Sequence, residues 1–316
     1  MTPDPPRLLA VVVTYQSAAI VGDCLRAIPA ALGPGAECRT VVVDNASTDH
    51  SLDAAAEADP SARLVPLGRN AGYAAAINAA LEEAFTPDLD AVLVLNPDIR
   101  MAPGALPPLW EALEDPTVGI AVPRLLDAAG VLQHSLRRDP SVLRALGEAL
   151  LGGNRAGRFA PLGEVVSDDD AYGVACRPDW ATGAAMLMHR RCIERVGSWD
   201  ESYFLYSEET DYCLRARDAG LSVQYCPESH ATHLGGESGT SPELWAVLTC
   251  NRVRFYRSRH GAVRSAAFRA AVMLNEAIRA LGGRATNRAA LRALATRGEP
   301  GVLGVASTRH HRHQPL

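Results

Sequence analysis

The chain has 316 residues, of which 47% are apolar and 21% charged, and its formal net charge is −5 at pH 7. This composition excludes a disordered chain and allows one large hydrophobic core or two modest ones. The negative charge gives no reason to expect nucleic-acid binding. All 31 basic residues are arginine, so a mechanism that needs a catalytic lysine is excluded.

The seven cysteines are scattered and form no C-x-x-C pair. This pattern predicts neither a zinc site nor a disulfide framework and favours free thiols in a reducing cytosol. The first residues, MTPDPPR, lack the layout of a signal peptide, and no stretch approaches the roughly 18 consecutive apolar residues of a spanning helix. We therefore expect a cytoplasmic protein whose membrane contact, where it has one, is peripheral and at the inner membrane face.

Strands and helices are predicted to alternate through the first hundred residues. Continuous apolar, β-branched runs are typical of buried parallel strands, and they occupy residues 8–14, 40–43, 63–67 and 91–95. Segments rich in alanine and leucine predict helices between them, over 18–32, from about 49, and from about 70 to 84. Either Ser47 or Thr48 is a candidate cap for the second helix. Four alternations with short connections predict a mostly parallel sheet covered by helices on both faces.

Polar residues follow the predicted strands at their carboxyl ends, at Thr14, Asp44-Asn45, Asn70 and Asp98. In open α/β sheets this edge is where ligands bind. Any one of these residues can be only a cap or turn residue, but the set of four favours a ligand site. The chain has neither a G-x-G-x-x-G after the first strand nor a Walker A motif. A dinucleotide dehydrogenase or a P-loop enzyme is therefore not expected, and carboxylate and amide side chains would hold any nucleotide.

Seven motifs carry a family resemblance. They are V-V-T-Y-Q-S (12–17), V-V-D-N-A-S-T-D (42–49), N-A-G-Y-A-A-A-I-N (70–78), L-N-P-D (95–98), W-A-T-G-A-A-M-L (180–187), F-L-Y-S-E-E-T-D-Y-C-L-R (204–215) and H-L-G-G-E-S (233–238). Their order resembles the family 2 inverting glycosyltransferases, and within them the rhamnosyltransferase-like branch. The resemblance implies a GT-A-type α/β domain over 1–240, with a nucleotide-binding half (1–100) and an acceptor half (101–240).

The resemblance also assigns a donor site and a metal site. The nucleotide-binding residues it implies are Thr14, Tyr15, Asp44, Asn45, Asn70, Gly72 and Asn96. Asn96-Pro97-Asp98 stands where the family has its D-x-D metal motif, so one carboxylate is missing and Asp98 is left as the main acidic ligand. His233 is implied as the second ligand, although His230 is close enough to exchange roles with it. A divalent cation, Mn²⁺ or Mg²⁺, is the natural neutraliser of a departing diphosphate, and an imidazole ligand favours Mn²⁺.

The catalytic base is implied within Ser207-Glu208-Glu209-Thr210-Asp211. Glu209 falls on the base position, where the family usually has Asp, and Asp211 and Glu208 are the alternatives. Acidic residues are also favourable at a helix start without any catalytic role. Trp180 and Gly183 fall where the family shapes its sugar and acceptor pocket, although a core tryptophan and a turn glycine explain them equally well.

The last third is predicted to be helical, with helices over 242–260 and 262–281 in a helical extension to 298, followed by a disordered tail over 299–316. One apolar stripe on the second helix comprises Val263, Ala267, Ala270, Leu274, Ile278 and Leu281. Arginines populate the other faces. The stripe either lies on an anionic membrane surface, where a polyprenyl-linked acceptor would be found, or packs on the main domain.

The resulting prediction is transfer of a sugar, with rhamnose as the candidate, from a dTDP- or UDP-sugar to a hydroxyl of a glycan or polyprenyl-linked acceptor in cell-envelope polysaccharide assembly. The departures at Asn96 and Glu209 leave one alternative, a nucleotide-sugar-binding paralogue with weak or no transferase activity. A sugar-1-phosphate nucleotidyltransferase is not expected. Such enzymes resemble one another in a glycine-rich N-terminal loop and in lysines near the phosphates, and this chain has neither.

Overall fold

A computed structural model describes residues 6–235 and 241–296. The chain divides into two compact units, Met1–Gly236 and Glu237–Leu316. The tail predicted over 299–316 and the end of the H-L-G-G-E-S motif lie outside the described residues.

The first unit contains the strands. They are β1 (Arg7–Thr14), β2 (Glu37–Asp44), β3 (Arg63–Pro66), β4 (Ala91–Leu95), β5 (Ile99–Met101), β6 (Val118–Leu126), β7 (Leu136–Arg137), β8 (Trp180–Ala181), β9 (Ala185–His189) and β10 (Ser222–His233). Its helices are α1 (Val21–Ala31), α2 (Ser51–Ala58), α3 (Tyr73–Ala84), α4 (Leu106–Leu113), α5 (Val142–Leu151), α6 (Gly153–Gly157), α7 (Arg190–Val196) and α8 (Glu208–Asp218), with a 3-10 turn at Asp169–Tyr172. The second unit contains α9 (Pro242–Arg259), α10 (Ala262–Leu281) and α11 (Ala285–Ala295).

Eight strands form one sheet in the order β3-β2-β1-β4-β9-β6-β10-β5. The first four strands in that order are parallel to one another and β6 is parallel to β10, whereas β9 and β5 run antiparallel to their neighbours. A separate two-stranded ribbon pairs β7 with β8. The predicted mostly parallel α/β sheet is therefore confirmed.

The sheet has a hydrophobic core on each face, because successive strand side chains point in opposite directions. In β1, Leu9, Val11 and Val13 face one core, which α3 and α8 cover. The alternate residues of the same strand face the other core, which α1 and α4 cover. This double burial explains why β1 reads as an uninterrupted apolar run.

The predicted cap of α2 is wrong. The helix begins at Ser51, and its N-cap position is His50, with φ +65° and no side-chain capping bond. Ser47 instead donates to the carboxylate of Asp44, and the backbone N–H of Thr48 donates to Gln16. The Ser47 hydroxyl is therefore hydrogen-bonded to Asp44 at the edge of the sheet, and α2 starts two residues after its predicted start.

The apolar stripe predicted on α10 is the exposed face of that helix. All six of its residues are exposed, including Val263 and Leu281 at its two ends. The buried face instead carries Phe268, Val272 and Glu276. The other helices of the second unit therefore pack on the opposite face of α10 within the described residues. No helix in the described residues is both long and apolar enough to cross a membrane.

Candidate active site

The carboxylate of Asp44 lies buried at the end of β2, directly opposite Thr14 of β1. Its Oδ1 accepts from Thr14 Oγ1 at 2.8 Å and from Ser47 Oγ at 2.5 Å, and its Oδ2 accepts from Ser47 N at 2.8 Å. A carboxylate has about four acceptor positions, so these three bonds leave one on Oδ2 for a ligand. Tyr15 follows Thr14 with its side chain exposed, so its ring is available for stacking.

Asn45 holds the loop that precedes α3. Its Oδ1 accepts from Ala71 N at 3.0 Å, and its Nδ2 donates to Gly72 O at 3.4 Å. Asn70 closes the same loop, since its Oδ1 accepts from Gly72 N at 3.2 Å. Both amides are therefore committed to loop structure through these atoms.

Gly72 brings this loop against the segment that leads into α8. Its φ is +92°, and a Cβ at this position would lie 2.2 Å from Phe204 O. The next residue, Tyr73, donates its backbone N–H to the same carbonyl at 3.1 Å. Only glycine satisfies both the backbone angle and the close approach. The loop before α3 and the segment before α8 thus meet at the Phe204 carbonyl.

The two predicted metal ligands, Asp98 and His233, are brought together by the antiparallel pairing of β5 with β10, which sets His233 opposite Ile99. Asp98 Oδ2 and His233 Nε2 lie 3.3 Å apart. His230 is exposed and three residues from His233. An odd spacing along a strand places two side chains on opposite faces, so the geometry favours His233 over His230.

The tautomer of His233 is set by Gln133. The amide nitrogen of Gln133 donates to the backbone carbonyl of His233 at 2.9 Å, which turns its Oε1 toward His233 Nδ1 at 2.8 Å. Nδ1 must therefore donate, and Nε2 faces Asp98 as the free ring nitrogen. A histidine ligand held through its other nitrogen is the usual arrangement in metal sites.

This pair of donor atoms fits a six-coordinate divalent cation. Two neighbouring ligands at about 2.1 Å from such an ion lie about 3 Å apart, close to the observed separation. The described residues contain no group of three or more His, Cys, Asp or Glu side chains able to hold a metal. Asn96 forms hydrogen bonds through its backbone, from its N–H to Ala184 O and from Ile99 N to its carbonyl. Asp98 and His233 would thus supply two ligands to a cation, and substrate and water would supply the others.

The two consecutive glutamates occupy the first turn of α8. Glu208 is buried, and its Oε2 has no hydrogen-bond partner among the described residues. Burial, reinforced by the charge of Glu209, raises the pKa of Glu208 well above its usual value. Burial also raises the pKa of Glu209, against hydrogen bonds and the charge of Arg137, which lower it. A pair of adjacent carboxyls with raised pKa values is typical of acid–base sites.

Asp211 has a different environment. Its carboxylate pairs with Arg215 at 2.7 Å, and Arg215 also donates to the carbonyls of Val196 and Ser198. Asp211 therefore ties α8 to the end of α7 through this arginine.

Tyr73 and Gly183 lie against the glutamates. A Cβ at Gly183 would lie 3.2 Å from Glu209 Cβ, and Tyr73 donates its hydroxyl to Gly183 O at 3.1 Å. Burial raises the pKa of Tyr73 well above its usual value, and the charges of Glu208, Glu209 and Asp98 add to the increase. The phenol is thus within electrostatic reach of both carboxyls and of the metal pair. The sequence reasoning missed Tyr73, although it directly follows the glycine of the N-A-G-Y motif.

Arg137 is the second functional candidate that the sequence reasoning missed. Its guanidinium lies 5.7 Å from the centroid of the Trp180 ring and donates to the carbonyls of His134 and Leu136. Within the described residues it forms no ion pair, yet its charge lowers the pKa of Glu209. The Trp180 ring is buried, and its Nε1 donates to Arg138 O at 3.2 Å. Trp180 therefore supports Arg137, and the pattern Arg137-Arg138-Asp139 carries no local signal for this role.

The model of glycosyl transferase family 2 matches residues 9–161, which include the strand-end residues and Asp98. A relative, the N-acetylglucosaminyl-diphospho-decaprenol L-rhamnosyltransferase of Mycobacterium tuberculosis, is 30% identical over 205 residues. Residues 9–161 therefore carry the pattern of glycosyltransferase family 2. The alignment with that relative covers 61% of this chain and 65% of the relative, slightly less than two thirds of its length.

Two further comparisons support the rhamnosyltransferase-like resemblance and the fold of this chain. Rhamnosyltransferase WbbL of Escherichia coli is 42% identical over 55 residues, which are 17% of this chain and 21% of WbbL. The solved structure of the mannosyltransferase PcManGT of Pyrobaculum calidifontis, in complex with GDP-Man and Mn²⁺, matches with a TM-score of 0.55. It covers 96% of this chain and 78% of that protein at 20% identity. The predicted GT-A-type fold is confirmed by this match.

Proposed function

We propose that this chain is an inverting glycosyltransferase that moves a sugar, with rhamnose as the first candidate, from a dTDP- or UDP-sugar to a hydroxyl of a glycan or polyprenyl-linked acceptor. The observation that carries the proposal is the pairing of Asp98 with His233 at 3.3 Å, in the same unit as Tyr73, whose hydroxyl donates to the Gly183 carbonyl beside Glu209. The family and the names of the rhamnosyltransferase relatives support sugar transfer in cell-envelope polysaccharide assembly.

The donor nucleotide is proposed to bind at the sheet edge. The one open acceptor position on Asp44 suits a donor N–H or O–H of the base or ribose, and the exposed ring of Tyr15 suits stacking on the base. Thr14, Asn45, Asn70 and Gly72 then act mainly by holding this edge in shape, through the hydrogen bonds already described. Asn96 would contribute its side-chain amide beside the diphosphate.

Asp98 and His233 are proposed to hold a divalent cation, Mn²⁺ or Mg²⁺, together with the donor diphosphate. The Gln133-oriented imidazole and the ligand spacing support this assignment, and the Mn²⁺ in the PcManGT complex is consistent with it. When bound, the cation neutralises the negative charge that develops on the departing diphosphate. The imidazole nitrogen favours Mn²⁺ over Mg²⁺.

Glu209 is proposed as the general base, with Asp211 and Glu208 as the alternatives behind it. As the acceptor oxygen attacks the anomeric carbon, its proton passes to Glu209, and the bond from that carbon to the diphosphate oxygen breaks on the opposite face. Glu208 is the more buried of the two neighbours, and burial raises its pKa well above the usual value. The ion pair of Asp211 with Arg215 makes Asp211 the weaker alternative. Gly183 lets the backbone approach Glu209 closely, since a Cβ there would lie 3.2 Å from Glu209 Cβ.

The place of action is proposed to be the cytoplasmic side of the inner membrane. All seven cysteines are free thiols, as a reducing compartment would keep them. The exposed apolar stripe of α10, with arginines on the same helix, is proposed as a peripheral membrane contact. The remaining alternative, a nucleotide-sugar-binding paralogue, keeps donor binding and lacks turnover.

One experiment tests the proposal through two variants with opposite defects. Calorimetry of UDP and dTDP, with and without Mn²⁺, is expected to give metal-dependent binding that Asp98→Ala removes. Glu209→Gln is expected to bind the nucleotide like wild type and to lose about 10²–10⁴-fold in transfer rate, because the proton of the attacking hydroxyl then has no base to receive it. The absence of metal-dependent binding of either nucleotide to wild type would refute the proposal, and binding without turnover in wild type would favour the paralogue.

A further inference from the structure

The segment 141–163, which contains α5 and α6 and is called here the α5–α6 hairpin, exposes a group of large apolar side chains. Leu143 is 55% exposed, Leu150 70% and Leu151 45%, and Phe159 after α6 is 56% exposed. Residues seven and eight apart lie on the same face of a helix, so the three leucines form one stripe. Exposed apolar groups of this kind mark interaction surfaces in folded proteins.

The hairpin presents these side chains on a rigid frame. A Cβ at Gly147 would lie 2.3 Å from Leu162 O, and one at Gly163 would lie 2.4 Å from Gly157 N. The opposite side of α5 is packed, with Ala145 and Ala149 buried. Because its inner contacts leave no space, the hairpin cannot turn the leucines inward without unfolding.

The charge of the hairpin is opposite to that of the whole chain. It contains three arginines, Arg144, Arg155 and Arg158, and one acidic residue, Glu148, so three minus one gives a net charge of +2, whereas the chain carries −5. Glu148 is buried and accepts from the backbone N–H of Glu164. Arg155 and Arg158 are exposed, beside the apolar stripe.

The hairpin is attached directly to the strand that carries Arg137. Arg138 donates its guanidinium to the carbonyls of Gly157 and Gly163, at 3.0 and 2.9 Å, and its backbone N–H to Glu164 O. Arg137 itself forms a β-bridge with Val165, two residues past the hairpin. The hairpin is therefore anchored on β7, whose Arg137 lowers the pKa of the proposed base Glu209.

We propose that the α5–α6 hairpin docks on an anionic phospholipid bilayer and so presents a membrane-embedded acceptor to Glu209. Apolar side chains bordered by arginines fit the boundary between acyl chains and anionic headgroups. The bilayer is preferred over an acidic protein partner because the stripe is apolar and its arginines lie at its border. The acceptor part of this inference rests on the proposed function, whereas the docking itself does not.

The test is co-sedimentation of the full chain with vesicles of phosphatidylglycerol and phosphatidylcholine, compared with vesicles of phosphatidylcholine alone. The double variant Leu150→Asp/Phe159→Asp is expected to lose at least about tenfold in binding to the anionic vesicles. The matched control is Val131→Asp/Val174→Asp, which places the same charges at residues 60% and 63% exposed outside the hairpin. This control is expected to bind within about twofold of wild type, because each exposed side chain outside the interface contributes little.

A second variant keeps the test valid if the first fails to fold. Arg155→Glu/Arg158→Glu changes only exposed charges and is expected to lose anionic binding to the same extent while nucleotide binding is kept. Equal loss in the hairpin and control variants, equal binding to both kinds of vesicle, or self-association of the chain through the hairpin in light scattering would overturn the inference. Nucleotide calorimetry separates the two proposals, since vesicle binding without nucleotide binding would refute the proposed function and leave the docking surface intact.

Discussion

At the scale of single residues, the site depends on how Glu209 is kept available as a base. Burial raises its pKa, and the unpaired guanidinium of Arg137 acts in the opposite direction. Burial also lowers the pKa of Arg137, because it removes water from the charged guanidinium. Hydrogen bonds to the carbonyls of His134 and Leu136 offset part of this desolvation. The balance of these effects sets the pH at which Glu209 becomes a base.

We expect Arg137→Met to move the acidic limb of the pH profile of kcat/KM to higher pH, by about 0.5–1 unit. Glu209 must be ionised to act, and removing a nearby cation destabilises the ionised form, so its pKa rises and activity appears later as pH increases. The limb of wild type should itself lie above the usual glutamate value of 4.5, since the pKa of Glu209 is raised. Steady-state rates between pH 4 and 9 measure the shift.

The control for this prediction is Arg155→Met, which removes an exposed arginine of the hairpin and should leave the limb unchanged with a water-soluble acceptor. A lower rate in Arg137→Met with an unshifted limb would instead assign Arg137 to ligand binding.

At the scale of elements, two backbone arrangements assemble the site. The β5–β10 pair brings Asp98 to His233, and the Gly72 loop joins the start of α3 to the segment before α8. Tyr206 and Ser207, which lead into α8, both have positive φ. Such backbone conformations are costly for residues other than glycine and persist where the surroundings impose them. The start of α8 is therefore defined by its neighbours more than by its own sequence.

We expect Gly72→Ala to destabilise the fold by about 3 kcal/mol and to weaken nucleotide binding, because it adds backbone strain and displaces the Phe204 carbonyl. The matched control is Gly68→Ala, where φ is +70° but a Cβ would meet nothing within 4 Å. It should cost only the strain of a left-handed residue, about 1 kcal/mol. Thermal unfolding and UDP calorimetry of the two variants measure the difference, and equal losses would mean that the contact with Phe204 has no role.

At the scale of the whole molecule, the chain consists of two units with separate internal networks. In the second unit, the buried carboxylate of Glu276 on α10 accepts from Trp245 Nε1 of α9 at 3.0 Å and from Asn287 Nδ2 of α11 at 2.6 Å. Asn275 donates to its other oxygen at 2.8 Å. One side chain thus joins all three helices of this unit within the described residues.

We expect Glu276→Ala to destabilise the second unit by about 3 kcal/mol, because it leaves the partly buried indole of Trp245 and the buried amide of Asn287 without their acceptor. Nucleotide binding by the first unit should persist, since that unit has its own cores. Urea denaturation followed by circular dichroism measures the change, with the exposed Glu243→Ala as the control expected to stay within about 0.5 kcal/mol of wild type. Similar stability of both variants would contradict a structural role for the network.

The sequence by itself determined the first strands, the helices of the last third and the identity of the residues at the sheet edge. β4 and α10 were predicted with their observed bounds and β1 to within a residue. Burial on both faces produces the continuous apolar runs of the two strands, and the helical spacing of apolar residues marks α10 although its predicted stripe is exposed. The family motifs added Glu209, Asp98 and His233 as candidates. The proposed roles of these three residues follow from their residue types and from the order of the motifs along the chain.

Only the tertiary structure decided which of these groups meet and what surrounds them. The orientation of His233 by Gln133, the pairing of Asp211 with Arg215 and the approach of Arg137 to Glu209 each join segments or turns that local periodicity does not relate. The exposed face of α10 was likewise undetermined, since an apolar stripe of alanines and leucines has the same spacing whether it is covered or bare. Contacts between distant segments depend on strand pairing and packing of the whole chain, and no local pattern encodes them.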